Sequence, residues 1–459
     1  MAEKSSLSPD AEPDVRAGRR DAAAYSAAFA DAAPRLTRTQ ALVEAERCLY
    51  CFDAPCVQAC PTSIDVPSFI RRIGEGNLRG AARTILEANP LGGTCARACP
   101  TEELCEEACV RVAQEGQPVR IGRLQRYAVD AVMDRPVTAL FARAAPTGRR
   151  IAVVGAGPAG LACAFGMARL GHEVVIHDAR PRGGGLNEYG LASYKMAGDF
   201  AQAEVDWLLG IGGIALELGW RLDGAPRLEA LRAAYDAVYL AVGLTRTNML
   251  GVPGEQLGGV RDAIDFIAEL RAAPDPALLP IGRRVVVIGG GMTAIDAAVQ
   301  SRLLGAEDVH LVYRRGREHM SASAAEQRWA QTNGVTIHDG LAPVAIEGDG
   351  RGRAVAVRFA SSGGGERVFA ADTVMKAIGQ KLDVAVLADA GLTLAGGRVV
   401  ADDDGRTGVA GLWAGGDCRA GGRDLTVEAV EDGKRAARSI HAALGARGAQ
   451  MRPTSSTLA

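Results

Sequence analysis

Neither sign of charge is in excess. Lys and Arg total 52 against 54 Asp and Glu, a formal net charge of −2. Such a chain has no global positive field with which to hold nucleic acid or an anionic membrane surface. Long apolar runs are scarce as well. The stretch from Ile151 to Ala168 carries no charge, but Gly155, Gly157, Pro158, Gly160 and Gly166 interrupt it. It reads as a strand, a tight turn and a helix start, not a lipid-facing helix. Met1–Gly18 is charged and polar, with no apolar core ahead of a small-residue cleavage site. No secretory signal is expected there, and a reducing, cytoplasmic setting is. Paired thiols are missing from the later part of the chain, where Cys163 and Cys418 stand singly; a redox-active C-x-x-C is excluded there. The six His show no obvious dyad in their spacing.

What the chain has in plenty is glycine, 57 of 459 residues, and clustered cysteine, eight of ten between residues 48 and 109. Length allows two to four domains, at roughly 100–200 residues each. Residues 1–34 show little periodicity and predict a mobile or partly helical extension. Residues 35–147 hold the clustered Cys and the helical patterns Val66–Gly74 and Arg79–Asn89, with no strand-like run. An α-helical domain is expected, joined to the rest by the linker Pro146-Thr147-Gly148. From Arg149 the pattern changes. Ile151–Val154 and Glu173–Asp178 read as buried strands around a small-residue helix, and Arg284–Ile288, a helix from Thr293 and Val309–Tyr313 repeat the unit. The expected fold class is α+β multidomain, a helical domain followed by two Rossmann-like α/β domains. The tail after Gly445 is polar and is expected to be disordered.

Each repeated unit carries a glycine loop. The first, Gly155-Ala156-Gly157-Pro158-Ala159-Gly160, fits G-x-G-x-x-G. In such a loop the first Gly makes the turn, the second lets backbone approach a pyrophosphate, and the third packs helix against strand. Asp178 ends the second strand, placed to accept from ribose hydroxyls. The second loop, Gly289-Gly290-Gly291-Met292-Thr293-Ala294, fits G-x-G-x-x-A, and its second strand ends not in an acid but in Arg314 and Arg315. Arg there suits the 2′-phosphate of NADP, an acid the ribose of NAD; a solvated charge run is the alternative. A third element, Leu412–Asp417 followed by Thr426–Ala437, resembles the closing motif of flavoproteins with two dinucleotide-binding domains. That resemblance implies that Gly416, Asp417 and Thr426 face the flavin. It also implies that Ala237–Gly243 and Val374–Gly379, with Ala377 and Gly379, are crossings between domains. FAD is then expected on residues 148–248 and 382–450, and NADPH or NADH on 249–381.

The first cysteine run reads C-x₂-C-x₄-C-x₃-C-P over Cys48, Cys51, Cys56 and Cys60; the second holds Cys95, Cys99, Cys105 and Cys109. This many soft thiolates suits iron–sulfur clusters or two Cys₄ zinc sites. The strings Cys48–Thr62, Asn89–Thr101 and Ile121–Ala128 make the resemblance specific. Residues 47–130 resemble the electron-entry part of dihydropyrimidine dehydrogenase, and about residues 40–445 are similar in architecture to it and to glutamate synthase small subunits. The resemblance implies two [4Fe–4S] clusters, one on Cys48, Cys51, Cys56 and Cys109, the other on Cys60, Cys99, Cys105 and Gln125, with Cys95 spare. Gly185, Leu186 and Lys195 are implied to lie near the flavin. Met292 stands where the family has Asp, a departure at the hydride site.

A (β/α)₈ barrel for reducing a pyrimidine needs about 250 residues, and the two dinucleotide units leave no room for one. The chain therefore resembles PreT-type subunits of two-subunit bacterial dihydropyrimidine dehydrogenases. That implies an NAD(P)H-dependent oxidoreductase that loads FAD and passes electrons through the clusters. The implied acceptor is a PreA-type partner subunit carrying FMN and iron–sulfur, in a heterotetramer, which reduces uracil or thymine. No catalytic acid or base is expected, since hydride transfer rests on positioning. A glutamate synthase small subunit, or related NADPH:acceptor module, is the second reading; a zinc-stapled binding protein is the third.

Overall fold

The structure, a computed structural model, describes Gly18, Arg20 and residues 21–450, with side chains as far as Gly445. It divides into two compact units. One holds Arg35–Asn187, Asp199–Thr245 and the chain from Leu382 onward; the other holds the described residues up to Pro34, Glu188–Gly198 and Arg246–Lys381.

The first unit begins with short, well-capped helices. Thr37 and Gln40 form a capping box on Arg38–Glu46. Asp65 accepts from Ser68 N to start Val66–Gly74, with Pro67 in the first turn, and Asn77 accepts from Gly80 N to start Leu78–Ala88. These caps satisfy N–H groups that a helix start leaves open. Val66, Phe69, Ile70 and Ile73 form one buried stripe, and Ala81, Ala82, Ile85 and Leu86 another, in a shared core.

The same core runs into a five-stranded parallel sheet, ordered Leu412–Ala414, Ala237–Leu240, Arg150–Val154, Glu173–Asp178, Ile214–Leu218. Phe141 joins the helical part to it, edge-on to Phe165 at 5.8 Å and to Trp207 at 6.3 Å between ring centroids. Two helices, Pro158–Arg169 and Thr426–Gln450, pack closely: a Cβ at Gly433 would lie 2.2 Å from Ala159 O.

The second unit has its own parallel sheet, ordered Val260–Asp262, Thr373–Lys376, Arg284–Ile288, Asp308–Val312, Thr336–His338. Its central strand is buried from Val285 to Ile288. A three-stranded antiparallel meander, Leu341–Gly348, Ala354–Ser361 and Glu366–Ala370, is added to it.

At the ends of the chain one expectation narrows to its helical alternative and another changes. Within the segment read as a mobile or partly helical extension, Ala22–Ala28 is a helix whose Tyr25 is 2% exposed and donates its hydroxyl to Leu304 O at 3.0 Å. A buried aromatic with a satisfied hydroxyl holds this helix on the second unit. The closing helix also runs past Gly445 to Gln450. Residues 1–17, 19 and 451–459 lie outside the described residues, so the rest of both expectations falls there.

Candidate cofactor sites

The eight clustered Cys surround two separate spaces in the first unit. Cys48, Cys51, Cys56 and Cys109 line one of about 370 Å³, together with Val66, Ile70 and Ile121. Cys60, Cys99, Cys105, Gln125 and Cys95 line another of about 310 Å³, with Asn89 and Thr101. The short helix Pro55–Gln58 accounts for the partition: Cys56 lies within it and Cys60 just beyond its end. Among the described residues no three His, Cys, Asp or Glu side chains are grouped tightly enough to hold a single metal ion. The thiols enclose volumes; they do not converge on a point.

Burial raises five of these thiols. Cys56 is pushed up to about 12, by desolvation first and then by Cys48 and Cys109. Cys48, Cys95, Cys99 and Cys105 are raised for the same leading reason. Thiolates crowded in so apolar a place need a cationic centre among them, and an iron–sulfur core supplies one. Gln125, on the helix Ile121–Asp130, is 7% exposed, and its Nε2 donates to Gly92 O at 2.7 Å. Its amide oxygen is left as the free end. Cys95 borders the same space, so the structure brings both candidates to the second cavity.

Glu204 is a buried site residue that no motif in the sequence singles out. This fully enclosed carboxylate accepts from Gly93 N at 2.8 Å and from Thr94 N and Thr94 Oγ1, joining the helix Phe200–Leu209 to the start of Gly92–Ala98. Desolvation carries its pKa up to about 7 although those hydrogen bonds oppose it. An acid within the apolar pattern of Phe200–Leu209 was the available signal.

The first glycine loop opens Pro158–Arg169 at the carboxyl end of the sheet, where the strand order reverses around Arg150–Val154. Gly155 has φ 111°, and a Cβ on it would meet Ala241 O at 2.2 Å; one on Gly160 would meet Gly155 O at 1.9 Å. A Cβ on Gly157, by contrast, would meet only Gly185 Cα, at 3.8 Å. The middle Gly is therefore not crowded by its own fold, and its bare backbone leaves room for the close approach of a pyrophosphate. Asp178 accepts from Ala156 N and Arg180 N, each at 2.7 Å, which holds its carboxylate against the loop.

Around this loop lie Gly185 and Leu186, then Gly416, whose added Cβ would sit 2.9 Å from that of Ala159. Thr426 Oγ1 donates to Asn187 Oδ1 at 3.0 Å. Asp417 is raised to about 6 by burial and then by Asp424. Beyond Thr426, Val427 packs against Cys95 and Leu104 and borders the second cysteine cavity.

In the second unit, a Cβ on Gly289 would meet Ala377 O at 2.2 Å, and one on Gly291 Ser321 Oγ at 3.3 Å. Met292 and Thr293 start the helix Met292–Leu304, with Ala294 buried. Gly379 has φ 87° and lies beside Asn248. Arg314 is exposed, while Arg315 lies 5.4 Å over the Tyr313 ring and donates to its hydroxyl at 2.8 Å. Lys195 is placed in this unit, its Nζ 2.8 Å from both Asp296 and Glu326. Burial pulls its pKa down, but the two carboxylates outweigh it and keep the ammonium charged.

Two family models match the chain. Residues 149–433 match the pyridine nucleotide-disulphide oxidoreductases, and residues 25–137 match dihydropyrimidine dehydrogenase domain II, 4Fe-4S cluster. A 4Fe-4S segment ahead of Rossmann-like α/β domains defines an NAD(P)-dependent flavoprotein oxidoreductase. The "NAD-dependent dihydropyrimidine dehydrogenase subunit PreT" of Salmonella typhimurium is 34% identical over 409 residues, 89% of this chain and 95% of that protein. The NADPH glutamate synthase small chain of Escherichia coli K12 is 32% identical over 431 residues, 87% and 91% of the two chains. The chain belongs to this oxidoreductase family, that of the PreT-type dihydropyrimidine dehydrogenase subunits. Among solved structures, T. acidophilum thioredoxin reductase superposes with TM-score 0.51 at 22% identity, over 64% of this chain and 99% of that one. Mycobacterium tuberculosis FprA in complex with NADPH gives 0.54 at 19%, over 66% and 87%. These two likenesses show the fold alone. No helix among the described residues is long and apolar enough to cross a membrane.

Proposed function

We propose that this chain is the electron-entry subunit of a dihydropyrimidine dehydrogenase. When bound, FAD would take hydride from NADPH or NADH, and two [4Fe–4S] clusters would pass single electrons to an FMN-containing partner that reduces uracil or thymine. The observation that carries this reading is the pair of separate thiol-lined cavities in the same unit as the first glycine loop, the second bordered by Val427. Residues Gly155 to Gly160 and Asp178 would hold the FAD phosphates and ribose, with Gly185, Leu186, Gly416, Asp417 and Thr426 toward the flavin. The second loop, with Arg314, would take the nicotinamide dinucleotide.

The cavities also suggest an order. The second, beside Val427, lies next to the closing motif and would be loaded first. The first, lined in part by the exposed Leu49, would hand electrons outward. The glutamate synthase reading is favoured by the 32% identity to that small chain. One experiment separates the two. Purified chain is mixed with a PreA-type subunit or with a glutamate synthase large subunit, and NAD(P)H-dependent thymine or glutamine turnover is followed. Thymine reduction alone supports the proposal; glutamine turnover alone overturns it. About eight iron and eight acid-labile sulfides per FAD are expected, as two four-iron clusters require; stoichiometric zinc without iron would overturn the cluster assignment.

A further inference from the structure

Asn89 ends the helix Leu78–Ala88, is fully buried, and forms part of the wall of the second cavity. Its Oδ1 accepts the backbone N–H of Leu91 at 3.0 Å. That bond sets the direction of the carboxamide, because the reversed orientation would place its NH₂ against the Leu91 N–H, donor on donor. Nδ2 is then the free end; among the described residues it meets no acceptor at good hydrogen-bond geometry, and the group it faces is the Cys95 thiol at the cavity wall. Buried amide donors are rarely left unmade. Four thiols, Cys60, Cys95, Cys99 and Cys105, line the cavity, so sulfur is its most abundant acceptor, beside the Gln125 amide oxygen and the Thr101 hydroxyl.

Resting on the reading of this cavity as an iron–sulfur site, we propose that Asn89 Nδ2 donates a hydrogen bond to sulfur of the second cluster and raises that cluster's reduction potential. Reduction adds negative charge that spreads over the sulfurs. A fixed N–H dipole aimed at them stabilises the reduced form more than the oxidised one, and a low local dielectric strengthens the effect. The first cavity has no buried amide; its polar lining side chain beyond the thiols is the Arg111 guanidinium. Asn89 acts here as a positioning and tuning residue, with no contact to a reacting substrate.

The test uses full-length, anaerobically reconstituted protein. Asn89→Asp keeps the shape and the bond to Leu91 N but replaces the donor; Asn89→Ala removes it. With iron and sulfide intact, EPR-monitored redox titration should show one midpoint shifted to lower potential in both variants and the other unmoved. Wild-type protein labelled with ¹⁵N at asparagine side-chain amides should show a weak ¹⁵N hyperfine coupling to one reduced cluster. Unmoved midpoints with full iron overturn the proposal and leave the cluster assignment standing. A shifted midpoint without ¹⁵N coupling also overturns it, since Asn89 would then act without touching the cluster. If the variants lose iron, the labelled wild type decides by itself. Wild-type protein that binds no iron removes the cluster reading and this proposal together.

Discussion

Gln125 Nε2 lies 2.7 Å from the carbonyl oxygen of Gly92. The bond spends the amide's donor on backbone and leaves its oxygen for the second cavity, which Cys95 also borders. Cys95→Ser is expected to keep both clusters and near-normal electron transfer. Gln125→Ala is expected to lose or disturb one cluster while flavin reduction by nicotinamide persists and transfer to the partner fails. Iron counts and low-temperature EPR of the two variants check this; a cluster lost from Cys95→Ser with both kept in Gln125→Ala would reverse the roles.

Arg314 is exposed at the end of the strand Asp308–Val312, whereas Arg315 is held on Tyr313. Arg314 is the freer of the two to meet a 2′-phosphate. Arg314→Glu should weaken NADPH more than NADH. One charge-assisted bond is worth roughly 1.5–3 kcal/mol, or about 10- to 100-fold in affinity. Steady-state KM for both nucleotides gives the answer. Wild-type protein that strongly prefers NADH would show that the pair does not read the phosphate.

Glu204 sets a pH dependence whose sign follows from its pKa of about 7 in the fold, above roughly 4.3 in an unfolded chain. Its contribution is complete below the unfolded value and is lost as pH rises through the folded one. Stability should therefore decline from this group between pH 4 and 7, while Glu204→Gln, which has no charge to bury, should flatten that decline. Thermal unfolding of both proteins at pH 5, 6, 7 and 8 measures it. An identical slope in the two proteins would show that Glu204 does not titrate in this range.

Gly160→Ala places a methyl 1.9 Å from Gly155 O. The loop or its helix must shift, at a cost of about 1–3 kcal/mol for overpacking. Lower Tm and reduced FAD retention are expected together, with iron content unchanged. Normal FAD retention would show that the loop absorbs the methyl without moving away from the phosphates.

Much of the scaffold was legible because its local and global signals agree. Arg284–Ile288 and Glu173–Asp178 are observed with the bounds that their apolar runs predict, since a parallel strand buried on both faces needs continuous Val and Ile. Val66–Gly74 is also observed with the bounds its helical pattern predicts, and in the structure Asp65 and Pro67 fix its start. The antiparallel meander from Leu341 to Ala370 went unread. Its strands, partly exposed and broken by register shifts, have no clean alternation.

Sequence by itself determined the two glycine loops, the helical cysteine segment and the chemistry those residue types allow, because turn geometry and thiol softness are local properties. Tertiary structure decided the groupings. Glu188–Gly198 leaves the first unit for the second through contacts such as Ala192 N to Asp296, 104 positions away, and no local pattern encodes a partner that remote. Cys56 and Cys60 are four residues apart and face different cavities, and Cys109 joins Cys48 only when the helices between them pack. Asn89 and Glu204 are ordinary polar residues on the page of sequence. Burial gives them their character, since an amide or a carboxyl acquires an unspent donor or a shifted pKa only when the fold removes its water.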